Sequence, residues 1–140
     1  LKEIRERYGV TFLGIGYDPH NVASLLQDLE EFGCPVVSIT QSARNLNDAT
    51  VAVQLLVKGR RLEFDKRNEL LTWSVSYAAI VRNSFDEIKI DKKPGAKFKR
   101  IDPVDAVIDA HALMLIQWGG GSPVDIEAGY ERYLELMGWG

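Results

Sequence analysis

The sequence predicts an α/β fold, and three observations carry that expectation. An apolar run at residues 10–17, a helical apolar stripe at 22–32 and a β-branched run at 35–40 follow one another in the order of a βαβ unit with a parallel sheet. A well-marked helix opens at Asp102-Pro103, with Val104, Val107, Ile108, Leu113 and Leu115 at helical spacing. The composition, 46% hydrophobic and 26% charged over 140 residues, is that of one ordinary globular domain.

The elements are justified in turn. Residues 1–8 form a charged helix stopped by Gly9, because glycine readily takes the left-handed turn that ends a helix. Val10, Thr11, Phe12, Leu13, Gly14, Ile15, Gly16 and Tyr17 read as a buried strand. Asp18-Pro19-His20-Asn21 begins a helix carrying Val22, Leu25, Leu26, Leu29 and Phe32, ending at Gly33. Pro35 to Thr40 gives the second strand, and Asp48 can cap a helix that runs to Gly59. Arg61–Phe64 reads as a brief extended piece. The segment 70–81 fits both periods and is split into a helix to Tyr77 and a hairpin of Ala78–Arg82 with Glu87–Asp91 about Asn83-Ser84-Phe85-Asp86. Two units are expected, 1–118 as the main domain and 119–140 as a glycine-rich linker with a docked amphipathic tail helix.

Several function classes are excluded at this level. No run approaches the roughly 18 apolar residues of a membrane span, and a lone Cys34 makes neither an internal disulfide nor a zinc site. Cytoplasmic residence is the expectation. Gly14-Ile15-Gly16 lacks the third glycine of a dinucleotide fingerprint, and there is no phosphate-binding Gly-x-x-x-x-Gly-Lys loop.

Charge is segregated, although the total is only −3. Residues 1–57 sum to −3, residues 58–101 to +6 and residues 102–140 to −6. The cations gather at Lys58, Arg60 and Arg61, and again at Lys89, Lys92, Lys93, Lys97, Lys99 and Arg100 around Pro94-Gly95. Such a cluster is either a solvated face or an electrostatic footprint for a polyanion.

Asp18 and Asp102 are the candidates for chemistry. Each precedes a proline, so on spacing alone helix capping is their ordinary role. The alternative is that a carboxylate at the carboxyl end of a parallel strand points into the crevice where such sheets bind ligands. If the 102 helix packs there, Asp18 and Asp102 converge on one hard divalent cation, Mg²⁺ or Mn²⁺. Asp105 and Asp109 share the helical face of Asp102 and are either further ligands or exposed polar positions.

Taken in order, Ile15-Gly16-Tyr17-Asp18-Pro19-His20-Asn21, Ile39-Thr40-Gln41-Ser42, Leu70-Leu71-Thr72-Trp73-Ser74-Val75-Ser76, Asp91-Lys92-Lys93 and Lys99-Arg100-Ile101-Asp102 resemble the nuclease domain of the large terminase subunit of tailed bacteriophages. The resemblance covers roughly residues 1–118. It implies a ribonuclease H-like fold, here partial: the central parallel βαβ part and C-terminal helices, without the first antiparallel strands. It also implies a metal-dependent endonuclease that cuts concatemeric double-stranded DNA by two-metal hydrolysis. By that resemblance Asp18 and Asp102 are catalytic metal ligands, with Asp105 as a further candidate, and Lys92, Lys93, Lys97, Lys99 and Arg100 contact DNA. The implied partners are double-stranded DNA, an ATPase domain of the same parent chain, a small terminase subunit and a portal, in the cytoplasm of an infected bacterium.

The departures are specific. The family's first catalytic aspartate has no counterpart in residues 1–9. Since the chain opens on Leu1, a fragment truncated at its N-terminal side, weak in activity alone, is the expectation. Tyr77, Ser42 and Pro103 stand where the family usually has asparagine, glycine and glycine. The rival readings are another ribonuclease H-like nuclease, of resolvase or transposase type, and a non-catalytic nucleic-acid-binding module in which both aspartates are only caps.

Overall fold

A computed structural model describes residues 1–20 and 22–118. The expected tail helix at 119–140, and Asn21 at the start of the second helix, lie outside the described residues. The elements run α1 (Lys2–Tyr8), β1 (Ile15–Tyr17), α2 (Leu26–Glu30), β2 (Val36–Ser38), α3 (Ala43–Lys58), α4 (Glu69–Tyr77), β3 (Ala78–Arg82), β4 (Ile88–Lys92) and α5 (Asp102–Trp118). Two two-stranded sheets result, β1 with β2 in parallel and β3 with β4 antiparallel.

The βαβ unit forms as expected but is shorter. The run from Val10 to Tyr17 is strand only from Ile15, because its partner β2 begins after Pro35. Pro35 has no N–H to extend the ladder, and its carbonyl already accepts from the Ile15 N–H at 2.8 Å. The helix expected from Asp18 starts only at Leu26. The Asp18 side chain is drawn into a local turn by accepting from the His20 N–H at 3.0 Å, a bond that competes with helix formation. Gly33, at φ +72°, ends the segment as expected.

α3 begins five residues before the expected Asp48 cap. The Ser42 Oγ accepts from the Asn45 N–H at 3.2 Å and satisfies one of the amide groups that a helix start leaves open. Asp48 sits inside the helix and accepts instead from the Asn47 side chain at 2.9 Å. Residues 61–64 form no strand. The division of residues 70–81 holds almost to the residue: α4 runs straight into β3, which pairs Ala78 with Lys92 through Arg82 with Ile88. The hairpin loop is closed by Asn83, whose Oδ1 accepts from the N–H groups of Phe85 (2.9 Å) and Glu87 (3.0 Å).

α3 and α5 pack together and against the sheets, enclosing a core of Ile39, Leu46, Ala49, Val53, Ile108, Ala112 and Leu113. Their apolar positions recur at helical spacing, so one face of each helix is buried. β4 is fixed to α3 where the Asn47 Oδ1 accepts from the Ile88 N–H at 2.9 Å. α5 lies along β1 in the opposite direction: a side chain at Gly14 would meet Gln117, and one at Gly16 would meet the Asp109 carbonyl at 3.2 Å. That close approach brings the end of β1 to the first half of α5. No helix among the described residues is long and apolar enough to cross a membrane.

Candidate functional site

Four segments supply the side chains: the end of β1 (Asp18), the loop after β2 (Gln41), β4 (Lys89 and Asp91), and the first half of α5 (Asp102, Asp105 and Asp109). The α5 residues lie three and four apart, on neighbouring turns of one face. Lys89 and Asp91 are two apart on a strand and share its face. The α5–β1 approach sets the residue after β1 against this row.

The electrostatics reveal the order of the row. Asp105, half-buried, is pushed up to about 6 from the ordinary 3.8, first by desolvation and then by the negative charges of Asp109, Asp102 and Asp91, with Lys89 acting in the opposite sense. Asp109 is also raised, by desolvation and by Asp18, while a hydrogen bond from Gln41 offsets part of the rise. Asp18 is lowered, mainly because its Oδ1 accepts from the His20 N–H; the same oxygen lies 2.8 Å from the His20 Nδ1. Asp109 therefore feels Asp18, and Asp105 collects the repulsion of three neighbours.

The expected residues are thus brought together unequally. Asp102 opens α5, but Ile101 supplies the carbonyl of the first helical bonds, accepting from Val104 and Asp105 at 3.0 Å each. The Asp102 carboxylate makes no hydrogen bond among the described residues, so it is not a side-chain cap here. Asp18 does make a local turn bond, yet it also stands against α5. Asp105 and Asp109 are half-buried rather than solvated.

Sequence reasoning gave no role at the acid row to Gln41, Lys89 and Asp91. Gln41 Nε2 donates to the Ile39 carbonyl at 3.0 Å and to the Asp109 Oδ1 at 2.9 Å, tying the loop after β2 to the acid row. Lys89 Nζ donates to the Gln41 carbonyl at 3.4 Å. The signal for the last pair was the alternation Lys89-Ile90-Asp91, which places both polar groups on one strand face.

The cationic segment lies between β4 and α5. Lys93 Nζ donates to the Ser76 carbonyl at 2.6 Å, and Lys99 Nζ sits over the rings of Trp73 (5.7 Å) and Tyr77 (5.1 Å), so both side chains fasten the segment to α4. Lys92, Lys97 and Arg100 make no ion pair among the described residues, and Lys97 and Arg100 are exposed.

The donor set fits a hard divalent cation in kind, because every candidate ligand is a carboxylate and the row carries repulsion that a cation would relieve. Among the described residues no three His, Cys, Asp or Glu stand close enough to close a metal site on their own.

The family described as "Terminase large subunit, endonuclease domain" matches residues 6–117. The crystal structure of the HK97 bacteriophage large terminase superposes with a TM-score of 0.65 at 19% identity, over 80% of this chain and 23% of that one. The likeness is one of fold, and the α/β, ribonuclease H-like expectation agrees with it. This chain spans less than a quarter of the HK97 protein. Comparison with curated proteins gives no match.

Proposed function

The chain belongs to the family of terminase large subunit endonuclease domains, and from that membership we propose that it is the DNA-cutting part of a phage packaging terminase, hydrolysing double-stranded DNA with Mg²⁺ or Mn²⁺. The observation that carries this reading is the acid row facing the end of β1, with Asp105 pushed up to about 6, on a helix that a run of cations precedes in the chain. Membership also favours a terminase over the resolvase and transposase readings, which share two acids and a basic loop.

In this proposal Asp18 and Asp102 bind the cation together with phosphate oxygens of the DNA, since no three side chains among the described residues close a site by themselves, and Asp105 is a candidate for a further ligand. When bound, the ion supplies a polarised water and offsets charge on the phosphate oxygens. The rest falls to the chain. His20 occupies the Oδ1 of Asp18 and leaves Oδ2 without a hydrogen bond among the described residues. Gln41 fixes the Oδ1 of Asp109 and so sets the spacing between the loop after β2 and α5. Lys97 and Arg100 take backbone phosphates, which positions DNA without reading its sequence. Cutting of concatemers, an ATPase domain in the parent chain, and contacts to a small subunit and a portal in the host cytoplasm belong to the same proposal.

The test is a Mn²⁺ titration of the chain followed by paramagnetic broadening of its carboxylate signals, with plasmid nicking measured alongside. Broadening strongest at the acid row of Asp18, Asp102, Asp105 and Asp109, and loss of nicking in Asp18→Asn and Asp102→Asn, are expected. Undisturbed carboxylates, or nicking that survives both substitutions, would sink the proposal.

A further inference from the structure

Phe98 is an apolar ring held out in solvent: it is 91% exposed, more than any other large hydrophobic side chain among the described residues. Ala96 N–H donates to the Lys93 carbonyl and Lys99 N–H to the Ala96 carbonyl, both at 2.9 Å, so Lys97 and Phe98 occupy the two central positions of a turn. Ala96 and Ile101 are buried on either side (8% and 5% exposed), and Lys99 is held over Trp73 and Tyr77. The turn is anchored at both ends, and its apex presents one cation and one aromatic face.

The surrounding charge narrows what can cover that ring. From Lys92 to Arg100 the chain carries five cations and no acid, and none of them makes an ion pair among the described residues. An apolar ring in a cationic setting is complementary to a polyanion that also offers flat apolar faces. Nucleic acid has that chemistry, with phosphates outside and base faces within. The ring stands four residues before Asp102, at the head of the acid row.

We propose that Phe98 stacks on the face of a base unstacked from the DNA beside the acid row, while Lys97 and Arg100 hold the flanking phosphates. This rests on the reading of DNA as the ligand, and it adds that the bound DNA is locally opened rather than intact.

The test is fluorescence anisotropy in EDTA, with the chain titrated onto a short labelled duplex bearing one central unpaired thymine and onto the same duplex fully paired. Wild type is expected to prefer the duplex with the unpaired base. Phe98→Ala should weaken binding to that duplex roughly 5- to 150-fold, the range of aromatic–base stacking, and abolish the preference, whereas Phe98→Trp keeps it. Lys97→Ala should weaken both duplexes alike and lower the slope of log affinity against log salt by about 0.9. If Phe98→Ala binds both duplexes as wild type does, the inference is overturned and the DNA reading stands. An equal loss on heparin, which has no bases, also overturns it, since the ring would then act only through the shape of the turn. If wild type binds neither duplex, the DNA reading falls as well.

Discussion

Replacing Asp105 by asparagine should stabilise the metal-free protein, an unusual outcome for a change at a half-buried polar site. The folded carboxyl holds its proton to a pH of about 6, whereas the unfolded chain releases it near 3.8. The gap of about 2 pH units would correspond to about 3 kcal/mol at full burial, at about 1.4 kcal/mol per unit. Asp105 is only half-buried, so solvent screening reduces this to about 1.5 kcal/mol. Loss of a negative charge from the first turn of α5 forfeits about 0.5 kcal/mol of helix-dipole attraction. The net gain is about 1 kcal/mol at pH 7 to 8, or about 3 °C in Tm for a domain of this size.

The sign in pH follows from the same shift. Because the folded value is raised, the protonated side chain favours folding at low pH, and wild-type stability from this group declines as pH climbs from 3.8 through about 6, then levels. The amide of the Asp105→Asn variant does not titrate, so that decline should vanish. Thermal melts in EDTA between pH 4 and 8 measure both effects. Mn²⁺ supplies the control: it should raise the wild-type Tm with concentration and the variant Tm far less. A variant that is less stable than wild type at pH 8, or that keeps the wild-type decline, would refute the account of the acid row.

Other expectations come from individual contacts. Gly16→Ala puts a Cβ 3.2 Å from both the Asp109 carbonyl and the Ile39 Cγ1, and should cost about 1–3 kcal/mol in urea unfolding. Gly14→Ala meets side chains alone, the end of Gln117 at 2.8 Å and the buried Leu113 Cδ2 at 3.0 Å, and should cost less than the backbone approach at Gly16; equal losses would contradict this distinction. Gln41→Leu removes the bond to the Asp109 Oδ1, so the Asp109 carboxyl should titrate still higher by NMR, and an unchanged midpoint would contradict the role given to Gln41. His111 is lowered by burial and its Nε2 has no partner among the described residues, so the unfolded state takes up a proton that the folded state resists. The contribution of His111 to stability should fall as pH drops below 6.5, opposite in sign to that of Asp105, so on going from pH 7 to pH 5 the urea midpoint of His111→Leu should shift upwards relative to that of wild type.

The elements that periodicity and turn chemistry mark strongly were legible in the sequence: α1 with Gly9, the βαβ order, the division at Tyr77, and α5. What escaped was decided between segments distant in the chain. The length of β1 depends on Pro35 in its partner, and the start of α3 depends on Ser42 satisfying a helix end that Asp48 could equally have served. At the site, the residue types could be named in advance, and the packing of the 102 helix against the end of β1 only as a condition; that Asp18 would face Asp109 rather than Asp102 was not legible. Nor was the burial of Asp105 and Asp109, because a polar residue on a helix face is solvated or enclosed according to which strands pack over it. Gln41 was invisible for the same reason: its role exists only where the loop after β2 meets α5.

The direct junction of α4 with β3 also bears on the order of assembly. The unit from Glu69 to Lys92 is made of contacts near in sequence, a helix followed at once by a five-pair hairpin, and such contacts form early. The acid row joins the end of β1 to α5 across most of the described chain, and closes late. Its repulsion therefore burdens the finished protein more than the route to it. Relieving that repulsion at Asp105 should slow unfolding and leave the folding rate nearly unchanged in stopped-flow measurements; a gain seen instead in the folding limb would place the row in the nucleus.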